Sequence, residues 1–97
     1  MKLGKFTKTS IERKRYALDY SDWLDTGETI STVTFTVTPA GTTPLVVDAN
    51  SISASGTTVA FFVNYGATGT TYTLDVQITT SGGQIKEDQI LFAVKDL

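Results

Sequence analysis

The sequence predicts an all-β domain built as a sandwich, and three observations carry that prediction. Apolar and polar residues alternate in run after run, as in Val33-Thr-Phe35-Thr-Val37 and Tyr72-Thr-Leu74-Asp-Val76-Gln-Ile78, which is the period of a half-buried strand. Turn residues punctuate the chain about every ten positions. No segment shows apolar residues at helical spacing. Thr and Ser supply about a quarter of the 97 residues, and threonine suits a pleated face that stays wet.

The elements follow in order. Residues 1–14 lack hydrophobic periodicity and are expected to form an extended, flexible basic arm, leaving 15–97 as the domain. Arg15-Tyr-Ala-Leu-Asp-Tyr20 alternates, with Tyr16, Leu18 and Tyr20 on one face. Ser21 and Asp22 can cap one helical turn through Asp25, and Gly27 permits a tight turn. Glu28–Thr38 is the clearest strand, with Val33, Phe35 and Val37 inward and threonines outward. The Pro39–Pro44 segment ends it, because proline cannot continue a central ladder.

Leu45–Val47 and Ser51–Ala54 read as two short extended pieces around an Asp48-Ala-Asn50 turn. Thr57–Asn64 is a strand with Val59, Phe61 and Val63 on one face and Phe62 on the other. Tyr65–Gly69 is a loop, Thr71–Thr79 a strand, Ser81-Gly82-Gly83 a hairpin turn, and Ile85–Val94 the last strand. The expected core is Leu18, Trp23, Leu24, Ile30, Val33, Phe35, Val37, Phe61, Val63, Tyr72, Leu74, Val76, Ile78, Ile90, Phe92 and Val94. Tyr72 stands at the start of its strand, where an immunoglobulin-like domain places a corner tyrosine, so the sandwich is expected to be of that type.

Composition excludes much chemistry. There is no Cys and no His, so thiolate chemistry, the commonest acid/base and the commonest transition-metal ligand are all missing. No catalytic residue, metal or cofactor is expected. The start has charge but no apolar core of a secretory signal, and no apolar run approaches a membrane span, so synthesis in the cytoplasm and no membrane partner are expected.

The charge is unevenly distributed. Lys2, Lys5, Lys8, Arg13, Lys14 and Arg15 against Glu12 give +5 over residues 1–15, while Lys86 and Lys95 against nine carboxylates give −7 over the rest, for a net −2. A basic segment on an acidic body favours contact with an acidic neighbour. Nucleic acid is disfavoured as a partner, because Phe6 alone is interleaved with the basic residues and the acidic body would repel a polyanion.

Asp19, Asp22, Asp25 and Glu28 lie at three-residue intervals beside the single Trp23. They lack the spacing of a calcium loop and read as a solvated rim. Trp23 reads first as a cap on the sandwich and second as a partner or sugar contact. Lys5, Phe6, Lys8, Ile11, Arg13 and Arg15 are the candidate partner-binding residues of the arm, with Trp23 and Phe62 beside them.

The stretch Arg15-Tyr-Ala-Leu-Asp-Tyr-Ser-Asp-Trp-Leu-Asp-Thr-Gly-Glu-Thr-Ile30 resembles a signature of the phage fiber-tail adaptor proteins. Asn64-Tyr-Gly-Ala-Thr-Gly-Thr-Thr-Tyr72 is similar to that family's loop before its corner tyrosine, and Thr79-Thr-Ser-Gly-Gly-Gln84 to its late hairpin. Tyr65 stands where a Gly is common and Gln84 where an Arg is common. The resemblance implies a virion structural protein, present in several copies, that links tail fibre to tail or neck by docking on other phage proteins. A capsid decoration protein, a carbohydrate-binding module and a nucleic-acid binder are the alternatives that composition leaves open.

Overall fold

The computed structural model describes residues 2–39, 41 and 44–96, with side chains from Gly4 onward. Seven strands make two sheets: β1 Lys2–Lys8, β2 Lys14–Asp19, β3 Ile30–Thr38, β4 Leu45–Ile52, β5 Thr58–Tyr65, β6 Thr70–Thr80 and β7 Ile85–Val94. No helix is present among the described residues. One sheet has the order β1-β7-β6-β3 and the other β2-β5-β4. All neighbours are antiparallel except β1, which runs parallel to β7 with Phe6 opposite Phe92.

The period-two pattern dictates which side chains meet between the sheets. Leu74, Val76 and Ile78 on β6, Phe92 on β7, and Val59, Phe61 and Val63 on β5 are all fully buried. Each such side chain contributes about 2 kcal/mol through the apolar surface it withdraws from water. Rings bridge the sheets: Phe35 lies 5.0 Å from Phe61, and Tyr16 lies 5.2 Å from Phe92. The expected core is recovered with one gradation and three omissions, Tyr20, Leu45 and Val59. Leu18, Trp23, Leu24, Val33, Phe35 and Val37 pack against the core while remaining partly exposed, whereas Tyr20, Leu45 and Val59 are buried within it.

Three local expectations are revised. Residues 2–8, read from the sequence as part of an arm, form a strand. Its inward row is Gly4, Phe6 and Lys8, a single apolar side chain flanked by a glycine and a cation, so no hydrophobic period is visible. Lys8 is 5 % exposed, and its ammonium donates to the carbonyls of Tyr65 and Thr9, both at 2.6 Å. Burial depresses its pKa, against the pull of Glu12 and Asp96.

The second revision concerns the two pieces expected at Leu45–Val47 and Ser51–Ala54. They are one strand, Leu45–Ile52, with a register shift between Asp48 and Ser51 and Ala49 at φ 49°. The turn residues mark a bulge rather than a reversal. Third, the helical turn after β2 is present, with Trp23 and Leu24 N–H donating to the Tyr20 carbonyl. Its capping acceptor is Asp19, whose carboxylate receives the Ser21 N–H at 2.9 Å. The loop expected at Pro39–Pro44 lies partly outside the described residues.

The β5–β6 connection fixes the open end of the core. Tyr65 has φ 60° and Gly66 φ 101°, conformations that favour glycine. A Cβ on Gly66 would sit 2.8 Å from a Val94 methyl, so that position also needs glycine for space. Tyr72 then ties the loop down, its hydroxyl accepting the Ala67 N–H at 2.8 Å. Tyr72→Phe is expected to lower stability by about 1–2 kcal/mol, because it strips a partly buried N–H of its acceptor. Equilibrium denaturant unfolding measures this, and an unchanged midpoint would show the bond to be dispensable.

Candidate docking surfaces

The candidate partner-binding residues separate into groups. Three of them are brought together on the outer face of β2-β5-β4. Because Val59, Phe61 and Val63 point inward, Phe62 must point outward, and the register sets it between Arg15 on β2 and Asp48 on β4. The Arg13 guanidinium lies over the Phe62 ring, 4.0 Å from its centroid, and reaches the Asp48 carboxylate at 3.1 Å. Both partners of that ion pair are about half exposed, so it contributes little to stability. It holds the guanidinium over the ring instead. An arginine over an aromatic ring, with a second Arg beside it, is a residue combination enriched where binding energy concentrates in protein interfaces.

Phe6 and Lys8 serve the fold. Phe6 is 42 % exposed but wedges between the sheets, 5.0 Å from Tyr16 and 5.7 Å from Phe92. Lys5 points outward from β1. Ile11 is 90 % exposed on the turn between β1 and β2. Around it, the Ser10 N–H and hydroxyl both reach Asp96. The Thr9 N–H donates to Glu12 at 2.6 Å. These donors hold both carboxyls below the usual carboxylate range, the backbone N–H being the main cause in each case.

Trp23 stands apart from all of these. It lines a groove of about 500 Å3 between the end of β2, Ala17–Tyr20, and the start of β7, where Lys86 and Asp88 face it. The Lys86 ammonium lies 5.6 Å from the Trp23 ring centroid and 3.2 Å from the Asp88 carboxylate. Asp88 is 1 % exposed. The Tyr20 phenol, 4 % exposed, is pushed well above its ordinary pKa by burial first and by Asp88 second, and it stays protonated.

The sequence reading missed Tyr20, Lys86 and Asp88 as groove residues and Asp48 as the arginine's partner. A signal for the groove existed, since the inward row Val94-Phe92-Ile90 extends backward to Asp88 and Lys86 at the same two-residue step.

The acidic segment around Gly27 is knitted internally. Thr80 donates its hydroxyl to Glu28 at 2.6 Å, and the Gln84 amide donates to Asp25 at 2.9 Å and to Glu28 at 3.2 Å. The Thr80 hydroxyl is the main reason that the Glu28 carboxyl is held below its usual range, followed by a backbone hydrogen bond at Asp25.

The fold and its surface define a small two-sheet β module that carries exposed cationic and aromatic side chains. The chain belongs to the family described as podophage GP4 fiber-tail adaptor protein gp77, whose model matches residues 8–93. The match contains β2 through all but the last residue of β7, and therefore Arg13, Arg15, Trp23 and Phe62. No curated protein sequence matches the chain. Among solved structures, the 2,6-sialyltransferase of Vibrionaceae Photobacterium sp. JT-ISH-224, in ternary complex with the donor product CMP and the acceptor substrate lactose, is similar over 98 % of this chain at 12 % identity and a TM-score of 0.57. The chain spans 17 % of that protein's length, and the likeness is one of fold alone.

Two outcomes follow from the groove and the acidic segment. Lys86→Met is expected to cost about 3 kcal/mol in denaturant unfolding at neutral pH, because it leaves a buried carboxylate without its cation. Adding Asp88→Asn should recover part of that loss, and a double variant as unstable as the sum of both singles would refute the coupling. Glu28→Gln should lower the melting temperature at neutral pH. A depressed folded-state pKa stabilises above the unfolded carboxylate range and ceases to do so as pH falls through the folded value, so the wild-type advantage should vanish in acid. A melting difference independent of pH would contradict the assignment.

Proposed function

We propose that this protein is a non-catalytic adaptor that joins the tail fibre of a phage to its tail or neck, working inside the virion by docking on neighbouring structural proteins and present there in several copies. The observation that carries the reading is the family match over residues 8–93. The sandwich is assigned to the immunoglobulin type on two supports. The strand order β1-β7-β6-β3 over β2-β5-β4, with β1 parallel to β7, has the connectivity of that fold. Tyr72, at the start of β6, bonds back to the chain five residues upstream, as a corner tyrosine does.

The docking patch in this reading is the outer face of β2-β5-β4, where Arg13, Arg15 and Phe62 converge. It would take an acidic surface of a neighbour, with Phe62 as the apolar anchor and the two guanidiniums pairing with carboxylates at its rim. Lys5 and Ile11, exposed elsewhere, are secondary contacts. Trp23 is assigned to closing its groove, since Lys86 already occupies the neighbourhood of its ring.

The test uses particles. Phage propagated without this protein should assemble heads and tails but carry no fibres, as seen by electron microscopy and by mass spectrometry of purified virions. Complementation with wild type should restore the fibres. Phe62→Ala should fold normally yet weaken the isolated contact by about 2 kcal/mol, roughly thirty-fold in affinity. Fibre-bearing particles in the absence of the protein would overturn the proposal.

A further inference from the structure

The two sheets present four edge strands, β1 and β3 in one and β2 and β4 in the other. An edge carries unpaired backbone N–H and C=O groups and is a template for another strand unless it is guarded. Three of the four are guarded. β1 carries Lys2, Lys5 and Lys8; β2 carries Lys14, Arg15 and Asp19; β4 carries Asp48 and a bulge with Ala49 at φ 49°. β3 is nine residues long and has no charged residue and no proline from Ile30 to Thr38; its own register shift falls at its start, between Ile30 and Thr32, and the run from Thr32 to Thr38 pairs with β6 without interruption. On its free side, among the described residues, the backbone hydrogen bond made outside the sheet is that of the Ile30 N–H to the Gly56 carbonyl. Its inward side chains Val33, Phe35 and Val37 are only partly buried, while those of central β6 are covered completely.

The sequence of this edge matches itself. Thr32-Val-Thr-Phe-Thr-Val-Thr38 reads identically in both directions about Phe35. Two antiparallel copies related by a two-fold axis through Phe35 would set Thr34 opposite Thr36 of the second copy, Val33 opposite Val37, and Phe35 opposite its own equivalent. Every threonine would then lie on the outer face and every apolar side chain on the inner face. The contact would be isologous and self-limiting. Threonine–threonine and aromatic cross-strand pairs are favourable. The edge carries no charge, so pairing it with its own copy brings no like charges together.

We propose that β3 is a self-pairing edge through which two copies of this chain join their four-stranded sheets into one of eight strands. The inference stands on the strand itself and does not depend on the adaptor reading.

Sedimentation velocity of the full chain over a range of concentrations tests it. Wild type should shift from the mass of one chain to that of two as concentration rises. The double variant Thr34→Lys/Thr36→Lys, which sets lysine opposite lysine on the exposed face, should remain at one chain with an unchanged circular dichroism spectrum. Mixing it with Thr34→Glu/Thr36→Glu should restore the two-chain species, because each lysine then meets a glutamate. A wild type that stays monomeric at every concentration, a dimer that persists in the lysine variant, or a mixture that fails to associate would each overturn the proposal.

Discussion

A run of five aromatic rings holds the two sheets together, and the remaining structure is arranged around it. It starts at Phe6 on edge strand β1, passes to Phe92 on β7 and Tyr16 on β2, continues to Phe61 on β5 and ends at Phe35 on edge strand β3. Successive centroids are 5.0–6.1 Å apart. The run crosses between the sheets more than once and reaches from one edge of the larger sheet to the other. Rings at these separations gain from edge-to-face and offset contacts beyond the area they bury. Moving any of these strands by one residue would turn its ring to the solvent face and break the run, so the aromatic positions fix register in both sheets together.

The inward rows must also end somewhere, and three of them end in polar groups with a partner close by. On β1 the row ends at Lys8, whose ammonium meets two carbonyls. On β6 it ends at Thr80, whose hydroxyl donates to Glu28 and accepts the Gln84 N–H. On β7 it ends at Asp88 and Lys86, paired at 3.2 Å. Burying such groups unpaired would cost several kcal/mol each. The loops that carry Tyr65, Glu28 and Trp23 are therefore positioned by the polar termini of the core as much as by their own turn chemistry. The Trp23 groove is a consequence of this arrangement, since it opens where the apolar row of β7 gives way to Asp88 and Lys86.

Most of the strand map was legible, and the failures share one cause. Where alternation is carried by large apolar residues, as from Tyr72 to Ile78 or from Val59 to Val63, sequence and structure agree on faces and burial. Where a strand's inward row includes small or polar residues, the pattern is silent. That hid β1, whose inward Lys8 reads as a surface cation until Tyr65 is known to supply its acceptor. It also hid the continuity of β4, because Asp48-Ala-Asn50 has the composition of a turn and only the partner strand reveals a bulge. The docking candidates divided in the same way. Arg13, Arg15 and Phe62 were each visible, but their convergence depends on the β2–β5 register, and Asp48 enters through β4. Lys8 and Phe6 read as contact residues in the sequence, because charge and aromaticity look alike there whether a side chain faces a partner or, as Lys8 does, the interior.

The likeness to a domain-sized part of a sialyltransferase at 12 % identity shows how little of this chain's identity resides in the core. Two sheets with alternating apolar faces are a general solution to burying about a hundred residues, and a core of this kind can sit inside an enzyme or an assembly protein without implying either. What distinguishes this chain must lie in residues the core does not require. Five of its aromatics are committed to the inter-sheet run, and Tyr72 and Tyr20 are buried at the ends of the sandwich. Phe62 is held outward by register alone, with a guanidinium laid across its face, and no packing need of the sandwich accounts for it. A β-sheet module of this size could place alanine or threonine there at little cost to its fold. The presence of phenylalanine beside two arginines, inside the span that matches the adaptor family, is the feature that the fold leaves unexplained and that the proposed docking role accounts for.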